Sequence, residues 1–397
     1  MRRSYYKTLG GEEIMTYTAP CLLTQQFRFC GNPLRIDLYK GCDFQCSYCF
    51  ANNRKFAKYG GNWDKTTIQI LDRLFAKAFD KKPTKRMEPE EELMRARVPM
   101  HCGGMSDPFQ KREWDEKLTY HLIELSIKYQ YPIIFSTKAG SLPDEYWDLL
   151  DPKLHAFQQS IMGYSDEFIR KFEPNTPTAS ERLKFTKKLH DKGFWTCIRI
   201  QPFIDLKEAK ELLKHCEGIV DYIIIEHLKI SKTNEEAAKQ FKDYYDKEKF
   251  YCPPHGAHLL VKPAIKKQNF KEIAEIANNY GIKVGCGDND AHELSQSRCC
   301  CGIDTIPSPA FNNWLKYNLT YFLTGEVTKK EADSLYVPQC EMYMPFADKE
   351  EYHLTKDKNF KYHVDEYVQK QTKLLKLAKR TDILQTLYKQ SVSKRLF

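Results

Sequence analysis

The chain has 397 residues, 42% of them hydrophobic, which is enough for one large α/β domain with an extension or for two ordinary domains. No apolar run approaches the roughly 18 residues that cross a bilayer, and the first twenty residues lack a signal-peptide pattern, so we expect a cytoplasmic protein with no membrane partner. Its fourteen cysteines then favour metal or cluster ligands over disulfides. The net charge of +9 fits an anionic partner such as nucleic acid and equally fits a solvated basic surface.

Short apolar runs alternate with helical patterns from about residue 33 to residue 285. The stretch "LRIDLY" (34–39) predicts a strand, and the apolar residues of "TTIQILDRLFAKAF" (66–79) recur at helical spacing. A charged connection, 81–97, leads to five more predicted strands, "VPMHC", "YPIIFSTK", "HAFQQSIM", "FWTCIRIQPFI" and "DYIIIEHLKI". Helix N-caps are expected at Asp64, Thr178 and Asp205.

Six strands joined by crossover helices predict a parallel sheet, which right-handed crossovers wind into a full or partial barrel. Reactive groups would then gather at the carboxyl ends of the strands. We place this barrel at 33–285, after an N-terminal segment at 1–32 and before a C-terminal extension at 286–397. The last stretch, 366–397, carries eight Lys or Arg against two acids on a helical pattern. A packed helix with a solvated basic face and a phosphate-binding helix both fit it.

Three cysteines lie within eight residues directly after the first predicted strand of the barrel. The stretch "YKGCDFQCSYCFANNR" contains Cys42, Cys46 and Cys49, spaced so that one loop can present three sulfurs toward a common centre. A structural zinc site normally has a fourth ligand, yet Cys30 is twelve residues upstream and the next downstream cysteine is Cys102. Three ligands on a 4Fe-4S cube would leave one iron open to bind a cofactor.

This spacing resembles the CxxxCxxC motif of the radical S-adenosylmethionine (SAM) enzymes. The resemblance implies a 4Fe-4S cluster on Cys42, Cys46 and Cys49 whose open iron chelates SAM, and an electron donor such as flavodoxin or ferredoxin. It also implies an α/β fold, a partial (β/α)6 TIM-like barrel of the radical SAM type with a cysteine-rich C-terminal extension. The difficult chemistry would belong to the cofactor, while the protein orients the reactants and shields the radical.

Three further stretches, taken in their order along the chain, resemble motifs of the spore photoproduct lyase family. They are "GGMSDPFQKRE" (103–113), "IIFSTKAG" (133–140) and "QQSIMGYSDEFIRKFEPNTPTASERLKF" (158–185). The resemblance implies that SAM-binding residues occur at the following positions: Gly103, Gly104, Ser106, Asp107, Lys138 and Ser160. Met105 stands where superfamily members commonly have a glutamate, so Asp107 is the carboxylate that would replace it. Glu173, Pro174 and Arg182 are expected to be structural, with an ion pair between the Glu and the Arg.

One departure concerns the hydrogen donor. Family members that repair thymine dimers have a hydrogen-donating cysteine where this chain has Gly104. Cys102 lies two residues earlier and would point to the same face of a strand, which makes it a candidate catalytic donor or a buried bystander. We therefore expect a substrate other than a thymine dimer.

Cysteines cluster again at the start of the C-terminal extension. A second metal site, holding an auxiliary iron-sulfur cluster or zinc, would use the following residues: Cys286, Cys299, Cys300 and Cys301. Three adjacent cysteines cannot all face one metal from an extended chain, so we expect two of them to do so. Additional thiols are Cys252 and Cys340, and weaker polar candidates are Asp288, Asp290, His292, Glu293, His255 and His258. Reactive thiols and plain packing are the alternatives.

The sequence therefore predicts a radical SAM enzyme that acts on a nucleic-acid base or nucleotide, in repair or modification. A radical SAM enzyme acting on a peptide, a protein or a small metabolite is the first alternative. A metal-stabilised nucleic-acid-binding protein without catalysis is the second. The type of reaction is not determined, because lyases, isomerases and methylases of this kind begin with the same adenosyl radical.

Overall fold

The structure is a computed structural model. It describes residues 6–9, 12–15, 18–23, 32, 34–49, 51, 65–82, 89–95, 97–231, 241, 244, 247–252, 258–288, 291, 294–297 and 299–311. The basic tail, Cys30, Cys340, His255, Asp290, His292 and Glu293 lie outside these residues. In the described part, no helix is both long and apolar enough to cross a bilayer.

The strands form three sheets. They are β1 (Tyr6–Leu9), β2 (Glu12–Met15), β3 (Cys21–Leu23), β4 (Leu34–Ile36), β5 (Met100–Cys102), β6 (Ile133–Thr137), β7 (His155–Ser160), β8 (Thr196–Phe203), β9 (Tyr222–His227), β10 (Lys229–Ser231), β11 (Phe250–Tyr251), β12 (His258–Val261) and β13 (Lys283–Cys286). The main sheet has eight strands in the order β13-β9-β8-β7-β6-β5-β4-β3, and every neighbouring pair is parallel except β3 with β4. This is the sheet of a partial TIM-like barrel. Two small antiparallel sheets, β1-β2 and β10-β12-β11, stand apart from it.

The helices of the described part follow strands of the main sheet, except the last one, which follows β12. They are α1 (Ile68–Phe79), α2 (Pro89–Arg95), α3 (Glu113–Glu116), α4 (Leu118–Tyr129), α5 (Asp144–Leu149), α6 (Asp166–Phe172), α7 (Ala179–Asp191), α8 (Leu206–Leu213) and α9 (Pro263–Asn279). Thr178 caps α7 in a capping box and Asp205 caps α8, as predicted. Asp64 is outside the described residues, and the cap of α1 is Thr67, whose hydroxyl accepts from the Ile70 amide.

The two faces of the main sheet differ in chemistry because side chains alternate along each strand. On β8 and β9 the outward residues are Ile198, Ile200, Ile223 and Ile225, which are fully buried in one cluster against α8 and α9. Burying one such side chain contributes roughly 1.5–3 kcal/mol. The inner face of the same strands instead carries Arg199, Gln201 and Glu226, described below.

Four features of the fold differ from the predictions. β13 adds a parallel strand beyond the predicted six, and it crosses the predicted boundary at 285, since it spans Lys283–Cys286. The last predicted strand divides into β9 and β10, which belong to different sheets. The charged connection 81–97 contains α2. Residues 299–311 also pack into the core of the barrel through Cys299, Ile303, Ile306 and Phe311, so the start of the extension is part of the barrel interior.

Candidate functional site

The three-cysteine loop follows β4, at the carboxyl edge of the sheet. Cys46 is buried, and Cys42 and Cys49 are half-buried. Backbone hydrogen bonds from Gln45 N to Cys42 O (3.3 Å) and from Cys49 N to Cys46 O (3.1 Å) fold the chain into two consecutive turns. The loop therefore has a defined course between the first and the third cysteine.

The loop after β5 holds one side of the cysteine loop. The Gln110 side chain accepts from the Asp43 amide (3.0 Å) and donates to Gly41 O (3.3 Å). The Asp43 carboxylate accepts from the Arg112 amide (2.9 Å). The "PFQKRE" stretch of the sequence thus fixes the first cysteine turn through reciprocal side-chain to backbone bonds.

The "FEPNT" stretch after α6 holds the other side. The Ser47 amide donates to Phe172 O (2.9 Å), and Asn175 Nδ2 donates to Asp43 O (3.1 Å). The Tyr48 hydroxyl donates to the carboxylate of Glu173. This stretch therefore contacts the cysteine loop at both of its turns.

Glu173 is the centre of a buried charge group. Its carboxylate is fully buried between Lys138 Nζ (3.0 Å) and an Arg182 guanidinium nitrogen (2.8 Å). Burial alone would raise its pKa, but Lys138 and Arg182 hold the pKa at about 2, so the group is ionised. The predicted Glu173–Arg182 pair is confirmed. Arg182 also donates to the Ser160 carbonyl (2.7 Å), which links this charge group to the end of β7.

The loop after β5 requires glycine at its first position. Gly103 has φ of +104°, and a Cβ there would lie 2.2 Å from Ser136 O. Asp37 accepts from the Met105 amide (2.6 Å), and the amides of Gly104 and Ser106 also lower the pKa of this carboxyl, although burial raises it overall. The loop therefore wraps around a carboxylate at the end of β4.

Asp107 ties this loop to β6. Its two oxygens accept from Phe109 N (2.9 Å), Thr137 Oγ1 (2.8 Å) and Lys138 N (2.6 Å). Burial raises its pKa to about 6. Both oxygens are thus occupied by the chain itself, and Lys138 is occupied by Glu173, so the SAM contacts predicted for these two side chains remain predictions. Ser106, which is buried, and Ser160, which is half-buried, border the same edge of the sheet.

Cys102 lies on the outer face of β5. It is paired in register with Ile36 and Phe135, and it is 1% exposed, whereas its neighbour His101 is paired with Arg35 and points inward. Burial raises the pKa of the Cys102 thiol well above its ordinary value. The alternation along β5 therefore separates Cys102 from the inner face, and this placement argues against its predicted role as hydrogen donor.

The inner face carries a row of hydrogen-bonded polar side chains that the sequence analysis missed. We call it the polar row; it consists of His101, Ser136, Gln158, Arg199, Gln201 and Glu226. The alternating polar residues of "CIRIQ" on β8 are the sequence signal that could have revealed it, because a strand covered on both faces normally reads as continuously apolar.

Arg199 is the most connected member of the polar row. It donates to Ser136 Oγ (3.0 Å) and Gln158 Oε1 (3.2 Å). Its Nε is buried and, among the described residues, has no hydrogen-bond partner. Burial and the nearby guanidinium groups of Arg199 and Arg35 lower the pKa of His101 to about 3, so this imidazole is neutral.

The donor set of the cysteine loop fits an iron-sulfur cube. The sulfurs of Cys42, Cys46 and Cys49 do not all lie within 4.8 Å of one another, the spacing that a single metal ion requires. A cube separates its thiolates further, because each sulfur binds a different iron. Burial raises the pKa of the Cys46 thiol to about 12, so the positive charge of the metal is needed to make it a ligand.

Residues 36–216 match the sequence model of the radical SAM superfamily. They form a radical SAM domain. This chain is therefore a radical SAM enzyme whose cofactors are a 4Fe-4S cluster and SAM, and enzymes of this family need an electron donor. That result removes the interpretation as a non-catalytic binding protein.

The chain is similar to other proteins in sequence and in fold. It is 22% identical over 261 residues to an uncharacterized protein of Methanocaldococcus jannaschii, covering 63% of this chain and 87% of that protein. A variant of spore photoproduct lyase with bound AdoMet and dinucleoside spore photoproduct is similar with a TM-score of 0.47 and 17% identity, covering 64% of this chain and 77% of that chain. Streptococcus suis SuiB bound to S-adenosylmethionine has a TM-score of 0.42 and 12% identity, covering 66% and 52% of the two chains.

Proposed function

We propose that this radical SAM enzyme acts on a nucleic-acid base or a nucleotide, which binds over the inner face of the barrel. The observation that carries the proposal is the polar row, a set of hydrogen-bonding side chains on the inner face with the Arg199 guanidinium at its centre. An apolar substrate would cover these groups without offering them new partners, at a cost of roughly 1–3 kcal/mol for each group left unsatisfied. A base edge or a phosphate offers polar atoms that can pair with them.

The residues around the cofactors take the following roles in this proposal. Cys42, Cys46 and Cys49 would hold the 4Fe-4S cluster, which would supply the electron for reductive cleavage of SAM when both cofactors are bound. Gly103 lets the loop after β5 pass close to the Ser136 carbonyl, and this loop would border SAM. Lys138, Glu173 and Tyr48 hold the cysteine loop in place, and the buried surroundings exclude water from the radical.

Charge on the inner face favours a substrate with acceptor groups. Arg35 and Arg199 contribute two guanidinium groups near neutral His101, and Lys229 pairs with Glu226 at the far end of the polar row. An electron carrier such as reduced flavodoxin or ferredoxin would deliver the electron, and DNA is the partner we propose for the substrate side. Spore photoproduct lyase, which has been solved with a dinucleoside photoproduct, represents the same substrate class.

Anaerobic reconstitution tests the proposal. The iron-loaded chain with SAM and reduced flavodoxin should release 5'-deoxyadenosine, and the Cys46→Ala variant should release none. Deuterium supplied in DNA should appear in that 5'-deoxyadenosine, whereas deuterated peptides should give no transfer. Transfer from peptide but not from DNA would refute the proposed substrate class while leaving SAM cleavage intact.

A matched pair of arginine variants tests the role of the inner face. Arg199→Gln should lower deuterium transfer from DNA more than it lowers uncoupled SAM cleavage, because it removes a substrate contact and leaves the cysteine loop unchanged. Arg73→Gln is the control, since Arg73 is exposed on α1. Equal transfer by the two variants would contradict the proposed role of Arg199.

A further inference from the structure

Three thiols lie close together next to Gln158 of the polar row, in a part of the chain that is distant in sequence from the cysteine loop. The ligand atoms of Cys299, Cys300 and Cys301 lie within 4.8 Å of one another, and the sulfurs of Cys299 and Cys301 are 3.0 Å apart. Cys299 is fully buried, and the other two are half-buried. Among the described residues this is the one group of three ligand atoms with the spacing that a single metal ion requires.

A tight turn brings the three thiols together. The Gly302 amide donates to Cys299 O (2.9 Å), and Gly302 has φ of +69°, the left-handed conformation that glycine adopts without strain. Asp304 accepts from the Cys299 amide (3.2 Å). The expectation that only two of three adjacent cysteines could face one metal assumed an extended chain, and it is wrong because the chain turns here.

Three contacts with strands of the barrel hold this turn in place. Gln158 of the polar row donates to Cys301 O (3.3 Å), and the Tyr222 hydroxyl donates to Cys299 O (3.4 Å). Cys300 O lies so close to Gly285 that a Cβ there would come within 2.1 Å. These bonds hold the backbone of the turn independently of any metal, so the site is pre-organised.

Cys286 does not belong to this group. It follows Gly285 on β13, and because side chains alternate it faces outward, in the cluster that α9 covers. Its sulfur lies 3.7 Å from an Asp288 oxygen. The second metal site predicted from four cysteines therefore reduces to three.

We infer that Cys299, Cys300 and Cys301 bind one Zn²⁺ ion, with water as the fourth ligand. Tetrahedral zinc at about 2.3 Å from each sulfur places the sulfurs about 3.8 Å apart. The three sulfurs all lie within 4.8 Å of one another, so they can reach that arrangement through small side-chain rotations. A 4Fe-4S cube would need more widely spaced sulfurs, and thiolate donors favour zinc over the hard divalent cations. Binding releases the protons of the three thiols to solvent and involves no electron transfer.

The consequence of this site is structural, and it does not depend on the proposed substrate. Zinc would hold the segment 299–311, which packs into the barrel core, next to Gln158 of the polar row. Loss of the ion should therefore weaken the packing around Gln158 and leave the structure of the cysteine loop unchanged.

Metal analysis of the full-length chain tests the inference. The chain carrying Cys42→Ala, Cys46→Ala and Cys49→Ala, which removes the cluster ligands, should contain one zinc ion per molecule by elemental analysis. Adding Cys301→Ser should abolish the bound zinc, and adding Cys286→Ser instead should leave it in place. Reconstitution with Co²⁺ should give the intense visible bands of tetrahedral thiolate coordination, and these should disappear with Cys301→Ser.

Four outcomes would overturn the inference. They are a chain without zinc, retention of zinc by the Cys301→Ser variant, loss of zinc with Cys286→Ser, and iron with acid-labile sulfide in place of zinc. Where the Cys301→Ser variant fails to fold, the Co²⁺ spectrum of the chain with its three thiols intact decides the matter, because tetrahedral thiolate bands support the site and their absence refutes it.

Discussion

Replacing Glu173 by Gln removes the negative charge from the middle of the buried group. Lys138 and Arg182 would then lie near each other without a counter-charge, since Glu173 and Arg182 are fully buried and Lys138 is 16% exposed. The glutamine keeps the shape of the side chain, so the change isolates the charge. We expect the free energy of unfolding to fall because two cations remain desolvated.

The size of this loss follows from the burial of the group. Removing one partner of a buried ion pair typically costs about 3–5 kcal/mol. Lys138 and Arg182 lower the pKa of Glu173 to about 2, so the fold stabilises the charged form of this carboxylate. We therefore expect Glu173→Gln to lower the free energy of unfolding of the metal-free chain by about 3 kcal/mol.

The direction of the pH dependence gives a second measurement. The folded pKa of Glu173 lies below the unfolded one, so its contribution is complete above about pH 4.5 and is lost as the pH falls toward about 2. Urea unfolding at several pH values, followed by tryptophan fluorescence, should therefore show a smaller difference between the parent chain and the variant at pH 3 than at pH 7.

The matched control is Glu211→Gln. Glu211 pairs with Lys214 at 2.6 Å, but both side chains are largely exposed, so water screens the pair and the substitution should change stability little. Equal losses from the two substitutions, or a loss from Glu173→Gln that does not change with pH, would refute the argument that burial makes this charge group important.

Three further predictions test the local geometry. Gly103→Ala should destabilise the chain by about 2 kcal/mol or more in urea unfolding, since its Cβ would collide with Ser136 O, whereas Gly104→Ala has its nearest atom at 3.6 Å and should cost less; equal costs would contradict this reasoning. His155, whose pKa burial lowers to about 3, should stay neutral at pH 5 in nitrogen-15 spectra and should lose its stabilising contribution only as the pH falls from about 6.5 toward 3, so a charged ring at pH 6 would disprove it. Asp205→Ala should lower the free energy of unfolding by about 1 kcal/mol through loss of the α8 cap, and Asp205→Asn should retain most of the stability. Equal stability of the parent chain and the Asp205→Ala variant would show that the cap contributes nothing.

The strands with long apolar runs were predictable because hydrophobic periodicity is a local signal. β6, β7, β8 and β9 all lie within predicted runs, and they are neighbours in the sheet as crossover connections require. β13 escaped prediction because "KVGC" is short and contains a glycine, and it becomes a strand only by pairing with β9. Its identity depends on a partner that is distant in sequence.

The candidate site was predictable where spacing alone fixes the chemistry, and much less where the third dimension decides. The positions of the three cysteines indicate a cluster without any structure. The Glu173 carboxylate contacts Lys138, Tyr48 and Arg182 because α6, β6 and the cysteine loop meet at one point. The sequence alone does not reveal that meeting. Cys102 shows the same limit, because the pairing register of β5, which the sequence does not state, places its thiol on the outer face.

The two faces of β8 explain why the sequence reveals the cofactor site more readily than the proposed substrate site. Ile198 and Ile200 satisfy the requirement that the outer face be apolar, and any large aliphatic residue would serve there. Arg199 and Gln201 alternate with them on the inner face, where both are half-buried and each is hydrogen-bonded within the polar row. Under the proposed function, a substrate that enters the barrel would meet these hydrogen-bonding side chains. The inner side chains of the strands, more than the cysteine loop, should therefore determine which substrate the radical meets.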